Sequence, residues 1–442
     1  MGIKKKALLL IGDAIMLYIS LATALIVRYQ GISELPEQWS RHLVPFSIIF
    51  LLWLLVFYWN DLYRYKAFRD HHLLLKSLFR SIMLAVLGSV LLFYLFPAFF
   101  GVNPKTNLLI LGITSFCIMY IWRTRILSLF IVRATNIILL GNSEKTKEVE
   151  TFLNTNPHAG FRIAKKFSSE QEFNSAEIEN AIQETNSHLI VVEKSFVKNM
   201  EFVRTLYKLI PFEVSIMQFS DFYEVIFEKE PLEELGEEWF VQNISARRPM
   251  YDTTKRIADI ACSLFFGIIM IAPWIVIAML IKLSSRGPII YKQTRIGKNG
   301  RSFTIYKFRT MTADSEKDGP QWSSVERDPR VTPIGKLLRH THLDETPQFW
   351  NILKSDCSFV GPRPERPEFV TILEKDIPFY EMRHVVRPGL AGWAQANYRY
   401  GSSIEDAREK LAYDIYYIRS RSLMTDLFIV LRTIKLIFVK LI

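Results

Sequence analysis

Five apolar runs and the placement of the cations between them constrain this chain more than any other feature. The first four lie near residues 7–27, 43–59, 81–100 and 107–122. Each approaches the ~20 residues that a helix needs to cross ~30 Å of hydrocarbon. The second and fourth are short, so their ends are less defined. Arg64, Lys66, Arg69, Lys76 and Arg80 separate runs two and three, and Arg123, Arg125 and Arg133 follow run four. The other two connections hold only Arg28, Arg41 and Lys105. The excess of cations in cytoplasmic loops then puts both ends of a four-helix bundle in the cytoplasm. Asp13 within the first run is expected to face other helices. A cleaved leader is the alternative for run one, because Lys4-Lys5-Lys6 precedes it and Ala22-Thr23-Ala24 has small residues at a cleavage-like spacing.

The fifth run, residues 257–283, is flanked by cations on both sides: Lys255 and Arg256 before it, and Lys282, Arg286, Lys292 and Arg295 after it. A crossing helix would leave the orientation rule unsatisfied. Pro273 sits near the middle and removes a helix hydrogen bond. Two readings stay open on charge alone. The run either breaks at Ala272-Pro273 and returns to the same leaflet, or it is a kinked spanning helix.

Composition narrows the partners. Half of the 442 residues are apolar and the net charge is +11. With apolar runs present, that charge favours anionic lipid and phosphorylated substrates over nucleic acid. Cys117, Cys262 and Cys357 are scattered, without disulfide or zinc spacing, as suits a reducing compartment.

From about residue 134 the chain becomes soluble in character. Residues 136–141, 188–193 and 213–217 read as buried strands separated by helical stretches, a small Rossmann-like α/β domain. The dinucleotide fingerprint is missing, since Gly141 is followed by Asn142-Ser143-Glu144-Lys145. Tyr251-Asp252-Thr253-Thr254-Lys255 has the Tyr-x-x-x-Lys spacing of short-chain dehydrogenases but no cofactor loop to serve, so the spacing is read as coincidental. Residues 423–442 alternate apolar stretches with Asp426, Arg432, Lys435 and Lys440. They read as an amphipathic helix in the membrane interface, or else as a soluble packing helix.

The chemistry is expected in His340-Thr341-His342-Leu343-Asp344-Glu345-Thr346-Pro347. Adjacent carboxylates among Lys336, Arg339 and Arg363 suit phosphate chemistry. Cations would hold phosphates while one carboxylate attacks or carries a metal. On a helix neighbouring side chains diverge by ~100°, so Asp344 and Glu345 would serve different directions. A plain acidic pair opening a helix is the competing reading. His340, His342 and Asp344 also fit a zinc-hydrolase spacing, but Glu345 stands where a further His belongs and no αββα pattern surrounds it. A transporter or scaffold would use the apolar runs and leave a basic, motif-dense C-terminal third without a role.

Motifs in that third resemble a family. They are Gln293-Thr294-Arg295-Ile296-Gly297, Tyr306-Lys307-Phe308-Arg309-Thr310-Met311, Asp328-Pro329-Arg330-Val331-Thr332, Leu343-Asp344-Glu345-Thr346-Pro347-Gln348, Phe359-Val360-Gly361-Pro362-Arg363-Pro364 and Arg387-Pro388-Gly389-Leu390-Ala391-Gly392-Trp393-Ala394-Gln395. In this order they resemble the catalytic region of bacterial polyprenyl-phosphate hexose-1-phosphate transferases, the monotopic phosphoglycosyl transferases. The whole chain looks like the large subclass. The resemblance implies that a nucleotide sugar, usually a UDP-hexose, gives its sugar-1-phosphate to undecaprenyl phosphate and releases UMP. It implies Asp344 as nucleophile and Glu345 as the residue working with Mg²⁺. It also favours re-entry of the fifth run, with Pro273 as the structural breaking residue, and allows a homodimer.

The cations expected to bind substrate are Lys307, Arg309, Arg339, Arg363 and Arg387. Lys307 and Arg309 alternate with apolar residues as on a strand, and prolines flank Arg363. Gly361, Gly389 and Gly392 are expected to permit turns. Three positions depart from the family pattern: Ala272 in place of Ser, His342 in place of a small hydroxyl residue, and Thr346 in place of Leu.

The expected fold is therefore a membrane-associated α/β chain. Residues 1–133 form a four-helix transmembrane bundle and 134–246 a Rossmann-like domain. Residues 247–442 form a monotopic catalytic domain with a small α+β core and a re-entrant helix at 255–284. The expected location is the bacterial inner membrane, multi-pass, with soluble parts facing the cytoplasm.

Overall fold

The computed structural model describes residues 3–29, 31–60, 62–63, 71–97, 105–126, 134–156, 159–169, 175–197, 204, 206–209, 214–312, 330–398, 401 and 403–441. Arg64, Lys66, Arg69, Arg133, Asp328 and Pro329, all used above, lie outside the described residues. The chain divides into two compact units, Met1–Ile226 and Phe227–Ile442.

The first unit opens with four long helices, α1 (Ile3–Tyr29), α2 (Leu35–Trp59), α3 (His71–Leu95) and α4 (Lys105–Ile121). They share one core in which Leu17, Phe46, Trp53, Phe57, Leu78 and Leu111 are fully buried. Their outward faces are also apolar, with Ile11, Ile15, Leu51, Leu55, Phe79, Leu109 and Ile113 exposed. Helices apolar on both faces belong in lipid. Each holds a stretch long and apolar enough to cross a membrane, as does residues 249–284 in the second unit. The chain is that of a membrane protein.

Several polar groups inside the four-helix core are paired with one another. The Trp53 indole donates to Ser89 Oγ at 2.8 Å, and Asn107 Nδ2 lies 2.9 Å from His42 Nε2. Asp13 forms a fully buried ion pair with Arg123. Arg123 also donates to the Leu62 carbonyl at 2.7 Å. This confirms that Asp13 faces other helices. It also gives Arg123, counted above as a flanking loop charge, a structural role inside the core.

The α/β part is a parallel sheet of four strands, β1 (Thr135–Leu140), β2 (Phe161–Phe167), β3 (Leu189–Val192) and β4 (Ser215–Gln218), in the order β2-β1-β3-β4. Residues 137–140 of β1 and all of β3 are continuous apolar runs buried on both faces, as central parallel strands are. Strand β2 was not expected, because Arg162, Lys165 and Lys166 hide its pattern on the sheet edge. After β1 the chain turns into α5 (Glu144–Thr155), capped by Ser143. Glu193, just past β3, fills this turn. Its carboxylate accepts the backbone N–H of Asn142 at 3.2 Å and of Ser143 at 2.9 Å, together with the Thr146 and Ser195 hydroxyls. A Cβ at Gly141 would come within 2.4 Å of the Glu193 carboxyl carbon. In nucleotide-binding relatives of this topology, a phosphate occupies the corresponding space at the helix N-terminus. Here it is the chain's own carboxylate.

The second unit begins twenty residues before the expected boundary at 247. Residues 227–246 pack on the C-terminal part. The Glu228 carbonyl accepts from the Trp393 indole at 2.8 Å, Glu230 N–H donates to Ala412 O at 3.1 Å, and the Phe240 and Phe379 rings are 4.6 Å apart.

A single 36-residue helix follows, α6 (Pro249–Ser284), with Pro273 inside it. The expected break at Ala272-Pro273 does not interrupt the helix. Both halves of α6 are fastened to the same unit. Arg256 donates to the Ile352 and Leu353 carbonyls at 2.6 and 2.8 Å, and Asp259 accepts the Phe359 N–H at 3.2 Å. Beyond the proline, Ile277 and Ile281 are buried against Phe308 and Leu338. Between these anchors Leu264, Phe265, Phe266, Ile268, Ile269 and Ile271 are exposed.

A hairpin of β5 (Ile290–Ile296) and β6 (Ser302–Phe308) comes next. It turns through Asn299 and Gly300, both at positive φ, as tight hairpins require. Then come α7 (Pro333–Thr341), a 3₁₀ turn (Leu343–Gln348), α8 (Phe349–Leu353) and β7 (Ser358–Val360). The chain ends with β8 (Gly389–Ala391), parallel to β7, then α9 (Ile404–Ser420) and α10 (Leu423–Leu441). Gly361 and Gly389 permit the β7–β8 approach. A Cβ on Gly389 would lie 2.1 Å from Gly361 N, and one on Gly361 would lie 2.4 Å from Arg387 O.

Helix α10 buries Phe428 and Ile429 while leaving Leu423, Leu427, Ile434 and Leu436 exposed. Its Asp426 accepts from the Tyr251 hydroxyl at 2.9 Å and from Lys255 Nζ at 2.6 Å. The Tyr-x-x-x-Lys spacing therefore puts two donors on one face of α6, and both bind one carboxylate.

Candidate active site

The site is built on the turn after α7. Thr332 caps α7 by accepting the Gly335 N–H at 3.0 Å, and Pro333 opens the helix where its missing N–H costs nothing. The helix ends at His342, whose φ of 56° is left-handed. Histidine is among the non-glycine residues enriched in that region. The chain then enters the 3₁₀ turn, where neighbouring side chains diverge by ~120°. Asp344 and Glu345 consequently face different ways, as the helical reading expected.

Glu345 points at β6. Its Oε1 accepts from Lys307 Nζ at 2.6 Å and from Arg363 Nη2 at 2.9 Å. Burial alone would raise its pKa, but the Arg363 and Lys307 charges outweigh burial and hold it well below the usual carboxylate range. Asp344 is also buried, yet among the described residues its carboxylate makes no hydrogen bond within the protein. Burial first, and the Glu345 charge second, push its pKa up to about 6 against the pull of Lys307, Arg339 and Arg363. The two neighbours thus have opposite fates. One is a clamped anion, and the other is an unpaired carboxylate that titrates near neutrality. Such divergence marks a site with divided roles.

The expected substrate cations separate. Lys307, Arg339 and Arg363 act on the carboxylate pair. Arg339 is held by donating Nε–H to Thr310 Oγ1 at 2.9 Å. Arg309 is not part of this cluster. Strand β6 ends at Phe308, so the two-residue alternation does not carry Arg309 to the Lys307 face. Its buried guanidinium instead binds the Ser285 and Arg286 carbonyls at 2.8 and 3.1 Å, satisfying groups just past the end of α6. Arg387 lies before β8, and its charge is felt by Arg256. Pro273 lies one residue before Trp274, whose indole N–H donates to Thr346 Oγ1 at 2.9 Å.

Other residues support the cluster and were not assigned to the site from the sequence. Arg383 donates to the Arg363 carbonyl at 3.0 Å and to Asp414 at 2.9 Å. Arg295 donates to the Pro364 carbonyl at 3.0 Å, so the Gln293–Gly297 motif holds the loop that carries Arg363. Asn351 ties α8 to β6 by accepting the Tyr306 N–H and donating to the Thr304 carbonyl at 2.7 Å. The one available signal was the position of these residues inside or beside the motifs. Their partners are tens of residues away.

The metal expectation can be tested against these donors. Among the described residues there is no cluster of three or more metal-ligating side chains. Mg²⁺ commonly binds through one or two carboxylates with waters and substrate phosphates. The Asp344–Glu345 pair fits that mode, since the two bonds from Lys307 and Arg363 both fall on Glu345 Oε1.

Residues 250–440 match the bacterial sugar transferase family. The chain is 45% identical over 193 residues to the UDP-N-acetylgalactosamine-undecaprenyl-phosphate N-acetylgalactosaminephosphotransferase of Aeromonas hydrophila, covering 43% of this chain and 44% of that one. It is 38% identical over 196 residues to the UDP-glucose:undecaprenyl-phosphate glucose-1-phosphate transferase of Escherichia coli K12, covering 42% of each. An exopolysaccharide production protein of Rhizobium leguminosarum is 39% identical over 186 residues, which are 92% of its length and 41% of this chain. The chain belongs to the bacterial sugar transferase family. It spans less than half the length of the Aeromonas and Escherichia relatives it matches.

Proposed function

We propose that this protein transfers a sugar-1-phosphate from a UDP-sugar to undecaprenyl phosphate, a membrane step in bacterial polysaccharide assembly. The observation that carries the reading is the split carboxylate pair, inside the region shared with relatives named for this reaction. Asp344 attacks the sugar-linked phosphorus of the donor. The phosphoanhydride bond to UMP breaks, UMP leaves, and the sugar-phosphate rests on the Asp344 carboxylate. An oxygen of the lipid phosphate then attacks the same phosphorus, the Asp344 bond breaks, and a polyprenyl-diphosphate sugar forms. A carboxylate nucleophile divides one difficult transfer between two anions into two easier ones. Lys307, Arg339 and Arg363 supply positive field where negative charge gathers. Mg²⁺, when bound beside Glu345, neutralises further phosphate charge. Glu345 also keeps Lys307 and Arg363 in place. Purified protein in lipid, given a panel of UDP-sugars and Mg²⁺, should release UMP from at least one donor without an acceptor. Release from none would remove the proposal.

In this reading α6 enters the membrane and both its ends stay on the cytoplasmic side. A straight helix of 36 residues would be ~54 Å long, against ~30 Å of hydrocarbon. Its support is that anchors on both sides of Pro273, at Arg256, Asp259, Ile277 and Ile281, belong to one compact unit while the apolar middle is exposed. Single cysteines at Arg247 and Lys298, in a background lacking Cys117 and Cys262, should both resist an impermeant thiol reagent in intact cells. Outside labelling of only one would mean a crossing. In this reading the soluble parts and both ends of the α1–α4 bundle lie in the cytoplasm of a multi-pass inner-membrane protein, which the excess of cations in those connections supports.

A further inference from the structure

The helix that enters the membrane touches the catalytic turn through a polar contact that the mechanism above does not use. The Trp274 indole N–H donates to Thr346 Oγ1 at 2.9 Å. The same hydroxyl donates to the Leu343 carbonyl at 2.8 Å, the residue before Asp344. A threonine hydroxyl has one proton to give and lone pairs to receive, so Thr346 makes both bonds at once. The rest of the indole belongs to the apolar cluster of Ile277, Ile281, Phe308 and Leu338, which Leu343 also joins, and it lies 6.4 Å from the Phe349 ring. Trp274 is therefore gripped on its apolar body by both the helix and the catalytic core. Its single polar group is spent on the turn bearing Asp344 and Glu345. An indole N–H beside lipid needs such a partner.

We propose that the Trp274–Thr346 hydrogen bond is a positioning contact. It carries the seating of α6 to the turn and holds the Asp344 carboxylate in line for attack on the donor phosphorus. Neither residue touches the reacting atoms. The proposal rests on the transferase reading of this site, and its test has one arm that does not.

Thr346→Val keeps the branched shape and removes both hydrogen bonds, Trp274→Phe removes the N–H donor together with part of the packed ring, and Thr346→Ser keeps the hydroxyl. In lipid nanodiscs containing undecaprenyl phosphate, Thr346→Val and Trp274→Phe should each lower kcat for UMP release by roughly tenfold, the scale of one lost hydrogen bond. KM for the donor should change less than about twofold, because uniform binding is not touched. Thr346→Ser should stay near wild type. The double variant should be no slower than the worse single one, because the two changes break one contact. Backbone hydrogen exchange supplies the arm independent of activity. Residues 343–353 should exchange faster in both damaging variants, with the β5–β6 hairpin unchanged. Unchanged exchange at 343–353, an unchanged kcat in Thr346→Val, or effects that multiply in the double variant would each overturn the proposal. If wild-type protein releases no UMP from any donor, the transferase reading falls while the exchange result still decides the contact.

Discussion

Glu193 is a buried carboxylate and Glu345 a partly buried one; both are held below the ordinary range, by different chemistry. At Glu193 burial is outweighed by the Ser143 and Thr146 hydroxyls and by the backbone N–H groups of Ser143 and Asn142. Neutral donors saturate it inside its own domain and leave no reactive neighbour. At Glu345 burial is outweighed by the Arg363 and Lys307 charges, and beside it stands Asp344, unpaired and pushed up to about 6. The contrast shows how a fold separates structural from chemical anions. A carboxylate with neutral donors closes a site. A carboxylate that shares cations with an unsatisfied neighbour holds a site ready for a third anion.

The strongest test of that contrast separates Asp344 from Glu345. Asp344→Asn removes the attacking anion and should abolish UMP release on donor alone and transfer to lipid phosphate alike, a loss of ~10³-fold or more. Wild-type protein incubated with donor alone should gain the mass of a sugar-phosphate on the peptide containing Asp344. Glu345→Gln leaves Asp344 in place but weakens the hold on Lys307 and Arg363 and, in the proposed mechanism, on Mg²⁺. It should retain turnover lowered by about 10- to 100-fold and demand more Mg²⁺, as loss of a supporting ligand does. Near-normal turnover of Asp344→Asn, or an adduct on Glu345, would reverse the roles.

The pH profile sharpens the same point. Burial raises the Asp344 pKa from 3.8 to about 6, so its reactive anion is disfavoured in the folded protein. UMP release should fall about tenfold per unit below pH 6 and level off above it. The stability contribution has the opposite sense. Between about pH 4 and 6 the folded protein holds a proton at Asp344 that the unfolded chain has lost, so this group makes folding less favourable as pH rises through that window. An acid limb that stays at pH 6 in an Asp344→Glu variant with altered surroundings, or that lies near 4 in wild type, would mean that another group sets the profile.

What could be read from the sequence followed from periodicity and local motifs. The four apolar helices, the buried strands β1 and β3, and the Asp344–Glu345 turn each carry their signal within a short window. What could not be read depends on partners distant in the chain. Asp13 meets Arg123 across 110 positions, and Trp274 meets Thr346 across 72. Arg309 looked like a partner of Lys307 because both fit a strand pattern, and the strand stops one residue too soon. Strand β2 was hidden by edge cations. The Tyr251-x-x-x-Lys255 spacing was visible, but only the position of Asp426 on a distant helix gives it a meaning.

The smallest expected effect falls on the other side of the comparison. Glu193→Gln keeps the size of the side chain but replaces one acceptor oxygen with an N–H₂ donor. That donor would face the Asn142 or Ser143 N–H, so at least one buried donor loses its partner. The cost of such an orphaned group is about 1–3 kcal/mol. Because folding lowers the Glu193 pKa, the wild-type contribution is present above the ordinary value of 4.5 and is lost as pH falls through the folded pKa. The thermal-stability gap between wild type and Glu193→Gln should therefore be open at pH 7 and narrow in acid. Turnover per folded molecule should not change, because Glu193 spends both carboxylate oxygens within the α/β domain. A variant as stable as wild type at pH 7 would show that the turn does not need the carboxylate. A variant stable but inactive would show that the domain takes part in the chemistry, and the division drawn here between a closed anion site and an open one would fail.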